Sequence, residues 1–388
     1  MTNNPHILFI TPLPPPVHGS AMVSQYIKDS ELIRGEFACD FVNLSTSRRM
    51  DEIGRGGIKK LLRFVGSFFM LFYKLLVHRY DLCYLAITCH GVGFLKDAPF
   101  VLLCKLFGRK VVIHQHNKGM SGCIERWPYR CLIPYIYKRT RVILLSWYLY
   151  PDIEKAVKRE QVVICPNGIP ETVSGERLAA SEDNVERGSG ACCSSPTVNL
   201  LFLSNLIPSK GVYVLLDACK ILKDKGLNFH CNFVGGESKE INRSVFEQAV
   251  HERALYDCVT YHGPKYGEDK ECYWEMADVF VQPTFEDCFP LTILEAMQHH
   301  KPIVSTNEGA VPDMVLDGKN GFICLRQDAS SLASALERLI VDEVLRNTMG
   351  EEGYRIYQKR FTLSCFEHRF TEILRDMNGR RGRGFWNV

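Results

Sequence analysis

The chain has 388 residues, a length that predicts two domains of roughly 150 to 200 residues each. Hydrophobic residues make up 46% and charged residues 23% of the sequence, a balance typical of folded globular proteins, which excludes a disordered chain and a small disulfide scaffold. Because 47 Lys and Arg stand against 44 Asp and Glu, the net charge is only +3. The net charge therefore indicates no particular class of partner, and we expect no nucleic-acid binding.

The 16 cysteines lie singly or in pairs without the repeated short spacing of a zinc site, and several stand inside apolar runs. This pattern predicts buried thiols in a reducing cytoplasm. The start of the chain, Met1 to Ile10, has no basic segment ahead of its apolar run, so we expect a first strand rather than a secretory signal. The longest apolar stretch, Leu61 to Val77, is interrupted by polar residues, and we expect no transmembrane helix.

Short β-rich runs alternate with helix-patterned stretches along the whole chain, which predicts an α/β fold of Rossmann-like units with parallel sheets. The first half contains these predicted strands: His6–Thr11, Phe37–Asn43, Leu82–Ala86, Lys110–His114, Val142–Ser146 and Gln161–Cys165. The second half contains these: Val198–Ser204, Asn228–Val234, Val259–His262, Val279–Gln282, Pro302–Thr306 and Gly321–Cys324. The same alternation therefore occurs twice.

This repetition predicts an N-terminal domain over residues 1–170 and a C-terminal domain over 197–362. Between them, 171–196 is rich in Ser, Gly, Ala, Glu and Asn and lacks an apolar period, as expected of a linker or mobile loop. The segment at about 363–388 begins with a helix whose apolar residues share one face, and it can pack on either domain.

The apolar stretch at 61–77 also has one apolar helical face, with Lys59, Lys60, Arg63 and Lys74 around it. Two interpretations stay open. The helix can pack on the sheet of the first domain, or it can lie in the interface of the inner membrane as a peripheral contact.

Two strand ends in the first half are candidate ligand sites. The first strand leads to Gly19, where a helix begins, and a glycine there lets the backbone approach a ligand at a helix N-terminus. The fourth strand ends in His114 and His116, which can hydrogen-bond a sugar hydroxyl at the carboxyl edge of the sheet. An ordinary turn and a metal pair are the rival interpretations, although no third metal ligand has a compelling spacing.

In the second half, Lys210 precedes a helix and is placed to bind a diphosphate. Further along, Glu286 or Asp287 lies near the expected N-cap of a helix, Pro290 suits its first turn, and Glu295 lies about one and a half turns inside. One carboxylate in a loop and another on a helix can bind two sets of hydroxyls on one ligand.

Seven motifs spread over almost the whole chain are specific in combination. They are the Gly19 turn, His114–Gly119, Pro166–Ile169, Ser209–Gly211, Phe233–Gly236, the acidic loop and helix Pro283–Met297, and Asp317–Phe322. Together they resemble the motifs of the retaining glycosyltransferases with the GT-B fold, family 4 (glycosyl transferases group 1). The resemblance implies two Rossmann-like domains facing a central cleft and transfer of a sugar from a nucleotide-sugar donor.

The resemblance also implies roles for individual residues. Glu295 matches the acid that holds the nucleoside ribose, and Asp287 takes the place of the acid that contacts the donor sugar. Lys210 matches the lysine that binds the diphosphate and stabilises the growing charge of the leaving group. His116 matches the active-site histidine, with His114 as the second choice.

Asp287, Lys210 and His116 are therefore the expected catalytic residues. The remaining expected donor contacts are Gly19, Asn205, Glu286, Phe289, Pro290, Leu291 and, as an additional candidate, Gly235. The chain departs from the family at two of these positions. Asp287 replaces a glutamate, where Glu286 can compensate for the shorter reach, and Asn205 replaces an arginine that commonly assists the lysine.

The reaction implied by the resemblance is transfer with retained anomeric configuration to an acceptor hydroxyl on a glycan or a lipid-linked sugar. It needs no cofactor and no metal, and it points to bacterial surface polysaccharide or lipopolysaccharide biosynthesis. Two alternatives remain, motivated by the departures and by the shared architecture: a nucleotide-sugar-binding protein without turnover, and a nucleotide-sugar epimerase.

Overall fold

The computed structural model describes residues 4–16, 19–47, 57–171 and 197–379, so the expected linker lies almost entirely outside the described residues. All twelve predicted strands are confirmed, with bounds that shift by at most two residues. The strands are β1 (His6–Thr11), β2 (Ala38–Asn43), β3 (Leu82–Ile87), β4 (Val111–Gln115), β5 (Thr140–Leu144), β6 (Val162–Ile164), β7 (Val198–Leu203), β8 (Phe229–Val234), β9 (Val259–Tyr261), β10 (Val279–Gln282), β11 (Ile303–Thr306) and β12 (Gly321–Cys324).

The helices fill the intervals between the strands, as expected of stacked β-α units. They are α1 (Gly19–Asp29), α2 (Glu31–Glu36), α3 (Ile58–Val77), α4 (Gly91–Leu106), α5 (Tyr129–Tyr137), α6 (Val212–Asp224), α7 (Arg243–Glu252), α8 (Glu268–Met276), α9 (Leu291–Gln298), α10 (Val311–Met314), α11 (Ala329–Val341), α12 (Glu343–Arg360) and α13 (Leu363–Asn378).

The first compact unit contains the described residues up to Gly168, the short loop Asp287–Leu291 and the chain from Leu363 onward. Its six strands form a parallel sheet in the order β2-β1-β3-β4-β5-β6. Every residue of β3 is buried, because helices cover both faces of a parallel sheet. Helix α13 adds Phe366, Phe370 and Leu374 to the core of this unit.

The second compact unit contains residues 169–286 and 292–362. Its six strands also form a parallel sheet, in the order β12-β11-β10-β7-β8-β9. Side chains from α6, α7 and α11 pack on this sheet around Phe202, Phe233 and Leu336. The two units thus repeat one architecture, two Rossmann-like parallel-sheet domains.

Strand order reverses once in each sheet. In the second unit the chain runs from β7 to β8 and β9 on one side and then crosses to β10 on the other side. In the first unit the corresponding reversal lies between β1 and β3. Loops diverge at such a reversal and leave a crevice beyond the carboxyl ends of the strands, which is where open α/β sheets bind ligands.

Helix α3 presents an unusually apolar surface. Only Leu71 and Leu75 of this helix are buried, while Leu62, Phe69 and Leu76 are each about two-thirds exposed. The helix therefore contacts its unit along a narrow stripe and leaves most of its apolar residues uncovered. Among the described residues, no helix combines the length and the apolar character needed to cross a bilayer.

Candidate functional site

The loops that follow β7 and β10 are locked together at the reversal of the second sheet. Gly211 adopts a left-handed conformation with φ of 86°, and a Cβ at this position would lie 2.2 Å from the carbonyl oxygen of Pro283. The Phe285 amide donates to the Ser209 carbonyl at 2.9 Å. Glycine is required at 211 both for its dihedral angle and for this close approach.

This contact brings Lys210 to the acidic loop. The Lys210 ammonium donates to the backbone carbonyl of Glu286 at 3.2 Å, although the two residues are 76 positions apart in the chain. Sequence reasoning assigned both residues to one ligand, and the structure brings them together. The result is a positive charge at the carboxyl edge of the sheet, where backbone amides and a cation can bind an anion.

Helix α9 begins at Leu291, later than the sequence analysis expected. Pro290 therefore directly precedes the first turn instead of standing in it, and Glu286 and Asp287 lie several residues before the helix start. Both acids belong to the loop that connects β10 to α9. The chain has no helical structure through Pro290, and the first turn of α9 forms directly after it.

Glu295 lies on α9 and is not an isolated carboxylate. Its Oε2 is 3.0 Å from the Nζ of Lys270 on α8, and the Glu295 side chain is 22% exposed. Sequence reasoning missed Lys270, because 25 residues separate the pair and no helical spacing or motif connects them. The burial of the apolar part of α9 gave the only signal, since a half-buried carboxylate there requires a partner.

One histidine, His299, and one further acid, Glu271, lie beside this pair. The His299 Nε2 is 3.1 Å from the Glu271 Oε2, and the His299 ring stacks on Trp274 with 5.4 Å between ring centroids. Burial lowers the pKa of His299 to about 4 and raises the pKa of Glu271. His299 is therefore neutral at pH 7.

Asn205 and Gly235 have structural roles in addition to any ligand contact. The Gly236 amide donates to the Asn205 side-chain oxygen at 2.9 Å. A Cβ on Gly235 would lie 1.9 Å from the Ser204 carbonyl oxygen, so no larger residue fits. These contacts join the loops after β7 and β8, and the Asn205 oxygen is already engaged by the protein.

The loop Asp287–Leu291 is grouped with the first unit. Asp287 accepts a hydrogen bond from the Cys288 amide at 2.8 Å, and Phe289 is buried. A Cβ on Gly19 would lie 3.8 Å from the Leu291 Cδ1, an ordinary contact distance. Among the described residues, nothing comes nearer than this to the position that a Cβ of Gly19 would take.

The two candidate histidines occupy different environments. His114 is fully buried, shares a 2.7 Å hydrogen bond with the Tyr84 hydroxyl through Nδ1, and stacks on Phe370. Burial, and to a smaller extent the neighbouring His116, lowers the pKa of His114 far below its usual value. His116 follows β4, has its ring centroid 4.0 Å from that of His114, and lines a cavity. His116 is thus the better placed of the two to meet a ligand.

Within the described ranges, no three His, Cys, Asp or Glu side chains converge in a way that could hold a metal ion. None of the 14 cysteines that the structure describes forms a disulfide, and ten of them are buried. Burial raises the pKa of such thiols, for example to about 12 for Cys165. The expectation of buried thiols is confirmed for these ten residues.

Residues 197–342, which belong to the second unit, match the family model described as "Glycosyl transferases group 1". The chain is 27% identical over 183 residues to "Capsular polysaccharide biosynthesis glycosyltransferase CapM" of Staphylococcus aureus, covering 46% of this chain and 47% of that protein. It is 24% identical to "Lipopolysaccharide 1,2-N-acetylglucosaminetransferase" of Salmonella typhimurium, covering 69% of this chain and 72% of that protein. The match with CapM thus spans about half the length of that relative.

The fold likeness covers nearly the whole chain. "Sucrose-phosphate synthase" from Thermosynechococcus elongatus superposes with a TM-score of 0.70 at 17% identity, covering 96% of this chain and 99% of that chain. HepE from Anabaena "in complex with UDP and glucose" superposes with a TM-score of 0.67 at 17% identity, covering 95% and 98%. The chain therefore has the GT-B fold, and its second unit contains the segment that matches the glycosyl transferases group 1 model.

Proposed function

We propose that the protein is a retaining glycosyltransferase of family 4 that transfers a sugar from a nucleotide-sugar to an acceptor hydroxyl. One observation carries the proposal: Lys210 lies against the acidic loop at the strand-order reversal of the second sheet, 3.2 Å from the Glu286 carbonyl. A cation held at that crevice is suited to the diphosphate of a donor. The names of the similar proteins support the same class of activity, and HepE binds UDP and glucose.

In the proposed donor site, each described group has a separate task. Lys210 pairs with the diphosphate, and Glu295 accepts hydrogen bonds from the ribose hydroxyls while Lys270 fixes its carboxylate. Asp287, with Glu286 beside it, contacts the donor sugar. The backbone of the loop through Phe289, Pro290 and Leu291 borders the sugar and the diphosphate, together with Gly19, Asn205 and Gly235.

In the proposed chemistry, negative charge develops on the leaving group in the transition state. The bond between the anomeric carbon and the diphosphate oxygen breaks while the acceptor oxygen bonds to the same face of that carbon. The departing diphosphate takes the acceptor proton, so no protein carboxylate becomes a covalent nucleophile. Lys210 stabilises the developing negative charge, His116 contacts the reacting sugar, and the proposal requires neither a metal nor a cofactor.

The proposed biological setting is bacterial surface polysaccharide or lipopolysaccharide biosynthesis at the cytoplasmic face of the inner membrane. The uncovered apolar residues of α3 support a peripheral contact there, because an apolar helix face bordered by lysines binds an anionic lipid interface. The CapM and lipopolysaccharide transferase names support the pathway class. The acceptor in this setting is a glycan or a lipid-linked sugar.

The donor can be found by a thermal-shift screen of UDP-, GDP- and ADP-sugars, because a ligand that binds only the native state raises its melting temperature. The stabilising donor is then incubated with acceptor extracts, and the anomeric configuration of the product is read by NMR. A retained product that disappears in Lys210→Ala and Glu295→Ala supports the proposal. Donor binding without any transfer identifies a binding protein, and sugar conversion without an acceptor identifies an epimerase; either outcome refutes the transferase.

A further inference from the structure

The loop that follows β4 carries His116, the histidine proposed to contact the reacting sugar. His116 directly follows Gln115, the last residue of β4. The Gln115 side chain is buried and donates to the Tyr137 hydroxyl of α5 at 2.8 Å. The chain therefore enters this loop from a fixed strand end. In the first sheet β4 lies between β3 and β5, and because the three strands are parallel, their loops leave at the same edge.

A carboxylate from the segment after β5 anchors the far end of this loop. Asp152 is the last residue of a short 3₁₀ helix, Trp147–Asp152, that follows β5. Its Oδ2 accepts hydrogen bonds from the amides of Gly119 at 2.8 Å and Met120 at 3.0 Å. Its Oδ1 accepts from the Ser121 amide at 3.1 Å and from the Ser121 hydroxyl at 2.7 Å. Successive backbone amides form a concavity that binds an anion, and here the anion is a side chain of the protein itself.

The loop after β3 holds the same segment from the other side. The Cys89 amide donates to the Asn117 Oδ1 at 3.0 Å, and the Cys89 thiol donates to the Asn117 carbonyl at 3.5 Å. Gly119 has a φ of 123°, and a Cβ there would lie 2.8 Å from the Nδ1 of His90. Glycine at 119 thus allows the two loops to approach each other closely.

These contacts restrict the backbone on both sides of His116. Its neighbour Asn117 is bonded to the loop after β3, and the amides at 119–121 are gathered around Asp152. The His116 ring also lies beside that of His114, with 4.0 Å between the ring centroids. The orientation of His116 is therefore set by the protein before any ligand binds, which is the geometry that an efficient group transfer needs.

Loss of the Asp152 carboxylate should change this orientation without unfolding the unit. Ser121 is exposed, so water can accept the hydrogen bonds that its amide and hydroxyl give up. The Met120 side chain is buried and keeps the segment attached. What is lost is a charge-assisted anchor that selects one conformation of the loop. The effect then falls on the alignment of His116 and not on the hydrophobic core.

We infer that Asp152 is a positioning residue for the proposed transfer: its carboxylate holds the loop after β4 in the conformation that presents His116 to the reacting sugar. The inference rests on the proposed function for the role of His116. It adds a residue that touches neither donor nor acceptor and that no motif in the sequence indicates. Asp152 acts on the reaction through the loop alone.

The first test compares kcat for transfer with donor affinity in Asp152→Ala. Misalignment of a reacting group by about 1 Å can cost about 100-fold in rate, so we expect kcat to fall about 10- to 100-fold. The dissociation constant of the nucleotide, measured by calorimetry, should change less than about twofold, because Lys210 and Glu295 belong to the second unit. An unchanged kcat, or an equal loss of donor affinity, overturns the inference.

Asp81→Ala is the matched control, because Asp81 also accepts a backbone amide, that of His6 at 2.8 Å, but precedes β3 at the amino edge of the same sheet. It should leave kcat unchanged, and a loss as large as that of Asp152→Ala contradicts the inference. Ser121→Ala removes only the hydroxyl hydrogen bond to Asp152 at an exposed position, so it should fold and lower kcat about threefold. If thermal melting shows that Asp152→Ala is unfolded, an unchanged kcat in Ser121→Ala overturns the inference.

The orientation of His116 is measured directly by NMR of the chain labelled in its histidine rings, with the His116 signal assigned from His116→Gln. This signal should shift in Asp152→Ala and stay in place in Asp81→Ala, whether or not the chain transfers sugar. A native chain without transfer refutes the proposed transferase, and the NMR comparison then judges Asp152 alone. An active chain whose His116 signal is the same in Asp152→Ala as in the native chain refutes the positioning role and leaves the transferase.

Discussion

The Lys270 ammonium lies 3.0 Å from the Glu295 carboxylate, and both side chains are about three-quarters buried. Removing the lysine leaves this largely buried carboxylate without its counter-charge and frees its orientation. We expect Lys270→Met to weaken binding of the donor nucleotide about fivefold, the value of one ordinary hydrogen bond. Titration calorimetry with the nucleotide found in the donor screen measures the change.

The effect should be smaller with the 2′-deoxy form of the same nucleotide, because Glu295 then has one hydroxyl fewer to hold. Lys220→Met is the control, since it removes an exposed lysine that pairs with Asp224 on α6. Equal loss of affinity for the ribo- and deoxyribonucleotide would show that Lys270 does not act through Glu295.

Lys210→Ala should weaken binding of the nucleoside diphosphate about 10- to 100-fold, because a charge-assisted hydrogen bond is lost. Affinity for the nucleoside without phosphates should stay the same. Competition binding with both ligands measures the difference, and Lys239→Ala controls for a general loss of positive charge. A parallel loss for the nucleoside would place Lys210 outside the diphosphate site.

Gly211→Ala and Gly226→Ala form a matched pair at the two ends of α6. Both glycines have positive φ values, 86° and 72°, which cost about 1 kcal/mol for alanine. In the part of the chain that the structure describes, no atom lies within 4 Å of the position of a Cβ on Gly226, whereas Gly211 faces the Pro283 oxygen at 2.2 Å. We therefore expect Gly211→Ala to lower the free energy of unfolding by about 3 kcal/mol, well beyond Gly226→Ala. Urea unfolding measures both, and equal losses would mean that the loops are not in close contact.

His299 makes the protein sensitive to acid. Burial lowers the pKa of His299 to about 4, whereas the unfolded chain takes up this proton at about pH 6.5. The unfolded state therefore binds more protons in that window, and stability falls as pH drops from about 6.5 toward 4. The raised pKa of Glu271 acts in the opposite direction.

His299→Gln keeps a hydrogen-bond donor but cannot titrate, so its unfolding midpoint should fall less between pH 7 and pH 5 than that of the native chain. Urea midpoints at the two pH values give the comparison. His251→Gln, at an exposed position of α7, should change nothing. An unchanged slope for His299→Gln would rule out this histidine as a source of the acid sensitivity.

The exposed apolar residues of α3 predict binding to vesicles. Phe69→Ser combined with Leu76→Ser removes two apolar side chains that are 64% and 65% exposed, so it should reduce flotation with vesicles that contain phosphatidylglycerol. Leu325→Ser combined with Val344→Ser changes similarly exposed residues of the second unit and should float as the native chain does. A native chain that stays in the soluble fraction with every vesicle composition would refute the membrane contact.

The order of strands and helices could be predicted from the sequence because parallel strands buried on both faces are short continuous apolar runs. The candidate site was predictable where a motif is local, as at Ser209–Gly211. Partners distant in sequence were not, and the Lys270–Glu295 pair became visible only after folding placed α8 and α9 side by side. The start of α9 shifted because Pro290 permits a helix start without fixing it.

The glycine contacts at 211 and 235 have a consequence for recognition. They bind the turns after β7, β8 and β10 into one rigid rim before any ligand arrives. A diphosphate that docks on this rim does not have to order those turns, so little of its interaction free energy is spent on restricting the protein. Affinity at this edge is then governed by the charges and amides already in place.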